Sequence, residues 1–210
     1  MDEKKQKIIT VTLCALAAVL IVWRMWPSGA GYSLDSEDPV QRMQALEDLR
    51  GQNTQRARSL LRSMTVDPDP RVAVMAIQSM AGNRDRENMS SLVNLSTAAQ
   101  SPLVRREALA ALGEYPEFDA ARLVAVVTSE RDPDVRAGAA QGLARRADRS
   151  TVPTMFRALS DEDAFVRGWA ITGIKNVTKV GFMYDSGRPP QEQREVIEEI
   201  RKYLQRNRFM

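Results

Sequence analysis

At 210 residues the chain fits one globular domain with a short appendage, and a composition of 43% hydrophobic but only 6% aromatic residues favours close-packed helices over a sheet. Its formal charge of +3 is uneven: residues 1–30 hold four basic and two acidic side chains, so the remaining 26 basic and 25 acidic groups are nearly balanced and lack the basic footprint of a nucleic-acid domain. No nucleic-acid partner is expected, and the absence of histidine with a single cysteine, Cys14, excludes Cys/His zinc sites, internal disulfides and histidine-dependent triads, so no cofactor, metal or catalytic residue is expected either.

Residues 1–7 form a basic tail, with Lys4, Lys5 and Lys7, and residues 8–26 read as a transmembrane or signal segment. The uncharged run from Ile8 to Val22 spans only about 22 Å as a helix, so crossing a hydrocarbon core of roughly 30 Å requires Trp23, Met25 and Trp26 to join it while Arg24 snorkels outward. The tryptophans resemble an interfacial belt, which favours a retained anchor, whereas Ser28-Gly29-Ala30 offers small residues for cleavage near Ala30. Leu13, in front of Cys14, does not suit lipidation. Lysines before the run place the N-terminus in the cytoplasm and everything beyond a linker at 27–35 on the extracytoplasmic, periplasmic side of a single-pass protein.

From residue 38 one pattern, Asp-Pro-x-Val-Arg-x-x-Ala-x-x-x-Leu, recurs with starts near 38, 69, 101, 132 and 163, at offsets of 31, 32, 31 and 31 residues. Asp or Ser is suited to cap a helix and proline to its first position. Apolar residues four apart then line one face, with alanine in the middle of every copy (Ala45, Ala76, Ala108, Ala139, Ala170), where a methyl lets neighbouring helices approach. Gly51, Gly82 and Gly113 suit left-handed ends for the first three of these helices. Apolar stretches at Ala57 to Met64, Met89 to Leu95, Ala120 to Val127 and Val152 to Leu159 supply second helices, and the spacing makes each repeat a helical hairpin. An amphipathic helix carrying Val196, Ile197, Ile200, Tyr203 and Leu204 closes the chain within a C-terminal cap at 178–206.

These residues resemble the short HEAT-like repeats named after phycobilisome lyases, over about residues 36–206. The resemblance implies an all-α fold, an α-solenoid of about five HEAT-like hairpins, here preceded by one N-terminal transmembrane or signal helix. It also implies that second helices line the concave side and that terminal repeats act as caps. Repeat two departs by carrying Ala73 in the arginine slot, and repeat five by lacking its proline.

Three groups are candidate sites. Arg42, Arg105, Arg136 and Arg167 recur beside Asp69, Asp132 and Asp163, either as a ladder that fixes stacking or as guanidiniums that grip an acidic partner. Arg58, Arg62 and Arg122 on second helices offer a modest basic rim for a partner, although a mixed-charge solvated face accounts for them as well. Tyr184, with Phe182 and Met183, is either an exposed anchor or a plug for the end of the core. The function expected is a non-catalytic, membrane-tethered scaffold for an unknown protein partner, the alternative being an accessory subunit of a lyase-type or other enzyme. HEAT-type hydroxylases need His-Glu metal ligands and are excluded; glycosylase-like DNA binding is disfavoured by charge.

Overall fold

The computed structural model describes residues 33–52, 54–82 and 84–210, so the basic tail, Cys14 and the apolar segment at 8–26 lie outside the described residues. The described residues contain ten α-helices and two short 3-10 turns with no strand, and no helix among them is long and apolar enough to cross a membrane. The chain divides into two compact units, residues 1–48 and 49–210.

In the first unit, Asp38 accepts from the Val40 amide (2.9 Å) and starts α1 (Pro39–Leu49). A carboxylate at this position satisfies an amide that the helix itself leaves unpaired. Arg42, Ala45 and Leu46 are its buried residues.

The second unit holds α2 (Gln55–Met64), the second helix of repeat one, followed by the first and second helices of three further repeats. These are α3 (Pro70–Gly82) with α4 (Arg86–Ala98), α5 (Pro102–Leu112) with α6 (Ala120–Ser129), and α7 (Pro133–Arg146) with α8 (Val152–Ala158). Repeat five contributes α9 (Ala164–Thr178), and α10 (Arg194–Arg206) closes the chain. Asp69, Asp132 and Asp163 each accept an early backbone amide of their own helix at 2.9–3.0 Å. Ser101, expected to do the same for α5, makes no side-chain cap.

The alanine column is core: Ala76, Ala108, Ala139 and Ala170 are fully buried. Close approach is concentrated in the row of first helices and is set by glycines as much as by alanines. A Cβ on Gly138 would lie 2.3 Å from the Arg106 carbonyl, and one on Gly142 2.7 Å from that of Leu109. Gly113, expected as a left-handed cap, has φ −61° and is required instead because a Cβ there would meet the Gly142 carbonyl oxygen. Gly82 ends α3 without leaving it, and Gly51 alone of the three takes the left-handed conformation, at φ 78°. The left-handed ends of α7 and α9 fall on Ala147 and Lys179.

Candidate functional site

In the four repeats that carry it, the recurring arginine sits one turn into the first helix, and its guanidinium folds back over the helix start. Arg42 donates to the carbonyls of Ser36 and Glu37 (2.7 and 3.1 Å), Arg105 to those of Ala99 and Gln100 (2.8 and 3.1 Å). Arg136 donates to Glu130 and Arg131 (3.0 and 2.9 Å), and Arg167 to Asp161 and Glu162 (both 2.8 Å). One edge of the planar fork thus satisfies the same two turn carbonyls, six and five residues back, in every repeat that has the arginine.

The other edge faces the next repeat. Arg105 reaches Asp132 at 3.4 Å, and Arg136 holds Asp161 with two bonds of 3.0 Å and Glu162 with one of 3.2 Å. The partner of Arg136 is therefore Asp161, not the capping Asp163. Hydrogen bonding to Asp161 raises the Arg136 pKa above the already high arginine value. At the last repeat Arg167 donates instead to the Ser186 carbonyl of the cap loop at 3.1 and 2.7 Å. Asp69, at the start of α3, pairs with Arg71 of the same helix at 2.7 Å.

A second set of staples, which no sequence spacing announced, joins the far ends of the first helices. Arg146 donates to the carbonyls of Tyr115, Pro116 and Phe118 (3.1, 2.8 and 2.6 Å) in the turn of the preceding repeat. Asn176 donates to Ala144 (2.9 Å) and Tyr115 to Met80 (3.3 Å). The usable signal was a polar residue near each first-helix end, where carbonyls lack intrahelical donors.

Of the rim arginines, Arg58 pairs with Asp85, the N-cap of the next second helix, at 3.2 Å and Arg62 with Glu87 in its first turn at 2.8 Å. Arg122 is exposed and lies over the Phe118 ring at 5.2 Å. In the cap loop, Phe182 meets Tyr203 edge to face at 5.4 Å, and the Tyr184 hydroxyl donates to the Leu159 carbonyl, with burial pushing its pKa up. Met183 between them is 91% exposed. The two aromatics thus seat the loop and leave Met183 on the surface.

A family model described as HEAT repeats matches residues 31–117 and 120–181, more than half of the chain. The chain belongs to the HEAT-repeat family. The comparison with curated proteins finds no match. HEAT repeats commonly serve as protein-interaction scaffolds, because stacked hairpins present extended rows of helix surface. In this HEAT stack the buried arginines are engaged with turns and neighbouring repeats, whereas Arg122 and Arg157 on second helices are exposed.

Proposed function

We propose that the chain is a non-catalytic HEAT-repeat scaffold of the phycobilisome-lyase type of repeat, held at a membrane by the apolar segment at 8–26 and presenting its second helices to a protein partner. The observation that carries this reading is the HEAT match over 31–117 and 120–181, in which the recurring charged residues serve stacking. A chain without histidine, whose one cysteine lies in the apolar run, supports the non-catalytic part. The lysine-rich start followed by that run supports the tether and an extracytoplasmic repeat domain.

The test is a pull-down with the repeat domain as bait beside an Arg122→Glu, Arg157→Glu variant. Both residues are exposed, so the variant leaves the stacking bonds in place. Loss of a specific protein from the variant supports the scaffold; a cofactor or metal retained through purification, with no protein partner, points to an enzyme or its accessory subunit.

A further inference from the structure

We infer that the HEAT stack carries a built-in opening seam between its second and third repeats, where the two part more readily than repeats three and four or four and five. This inference concerns the fold alone and stands whether or not the second helices bind a partner.

The ladder is broken here on both sides at once. Repeat two has Ala73 where the others have arginine, and repeat three has Ala99 and Ser101 where repeat five has Asp161 and Asp163. No guanidinium therefore crosses this junction at the position where Arg105 and Arg136 cross the next two. Ser101 also leaves α5 without the side-chain cap that starts α7 and α9.

Backbone packing differs in the same direction. The α5–α7 junction interlocks through Gly113, Gly138 and Gly142, and α7–α9 through Gly173, whose Cβ would lie 3.3 Å from the Ala144 Cα. The only glycine in α3 is its last residue, Gly82, with nothing within 4 Å of a built Cβ.

The third observation is a buried polar defect. Asn88 is fully buried in α4 at the core column that Ala57 fills in repeat one. Its amide donates to the Met80 carbonyl at 3.4 Å, the same oxygen that takes the Tyr115 hydroxyl at 3.3 Å. Its Oδ1 has no hydrogen-bond partner. Arg58 Nε and Arg106 Nε, by contrast, each face a carboxylate, at 3.2 and 4.0 Å respectively. A buried acceptor without a donor opposes closure, and opening this junction hydrates it. Besides the Tyr115–Met80 staple, the side-chain cross-links among the described residues, Gln78 to Glu107 (3.3 Å) and Arg84 to Glu114 (3.2 Å), lie on the exposed rim, where such pairs contribute little.

Hydrogen exchange with mass spectrometry on the full-length chain tests the seam. Amides of α3 and α4 should exchange about tenfold or more faster than those of α5 and α6, the ratio set by one uncompensated buried acceptor, with the step falling between α4 and α5. Asn88→Leu, equal in heavy atoms and without the orphan oxygen, should shrink that step severalfold while leaving α7 to α9 unchanged. Ala73→Arg with Ser101→Asp, which restores the rung, is the second variant. A step reduced by either variant supports the seam. Uniform protection from α3 to α9, or a step that neither variant alters, overturns it.

Discussion

Arg136 is the side chain on which two repeats depend at once. It is only 7% exposed and joins a turn, a carboxylate pair and its own helix through one rigid plane. Arg136→Ala would strand the largely buried Asp161 and two turn carbonyls, a loss of about 3 kcal/mol. Arg105→Ala should cost less, about 1 kcal/mol, because its carboxylate bond is longer, 3.4 Å, and more exposed. Arg136→Lys should not rescue, since one ammonium cannot meet carbonyls and carboxylate on opposite edges. Thermal melts of the three variants check this order. Recurrence in the sequence made these arginines visible, but their main acceptors are backbone carbonyls, which no residue type marks. Arg136 takes Asp161, two residues before the cap, whereas Arg105 takes the capping Asp132, so acids two residues apart are not told apart by spacing.

Tyr115 gives a second test at this scale. Burial, with the Asp85 charge adding, pushes its phenol up to about 12 from 10.0. The unfolded chain releases this proton from about pH 10, the folded chain only near 12. Stability from this group is thus intact below pH 10 and is lost as pH rises from about 10 to about 12. Chemical denaturation across that window should show a steeper fall for the wild type than for Tyr115→Phe; equal slopes would remove Tyr115 as the cause.

Among the helices, glycine carried two meanings that sequence alone does not separate. A glycine near a helix end reads as a left-handed cap, as Gly51 is, but Gly113 keeps a helical φ and admits the backbone of α7. Chirality alone does not reserve the left-handed ends for glycine, and Ala147 and Lys179 occupy them at φ 51° and 61°. The alanine column, by contrast, was legible because its period matched the helix and its size matched the contact. The same packing predicts opposite outcomes for two glycine substitutions. Gly138→Leu, whose first carbon alone would collide with Arg106, should cost 1–3 kcal/mol or more, of the order typical of overpacking, roughly, in a tight core. Gly82→Ala meets nothing within 4 Å and should be neutral or stabilising by up to about 1 kcal/mol. Urea titration of both variants separates these signs.

Across residues 49–210, three hairpins and the first helix of repeat five stack through the first-helix row, and the cap loop with α10 takes the place of a fifth second helix. The period of 31 or 32 residues made the repeats legible. The ending was less so, because the cap is anchored by contacts far apart in sequence: Arg149 donates to the carbonyls of Asn207 and Arg208 (both 2.9 Å) and lies over the Phe209 ring at 4.1 Å. What the stack is for rests on its exposed second-helix surface and on the apolar segment before it. Photo-crosslinking from position 122 of the full-length chain in native membranes, read by mass spectrometry, tests that reading most directly. The account predicts one dominant protein adduct, from the extracytoplasmic side of the membrane and absent when the probe is moved to the buried position 139. Adducts to cytosolic proteins or nucleic acid, or equal labelling from the two positions, would contradict it.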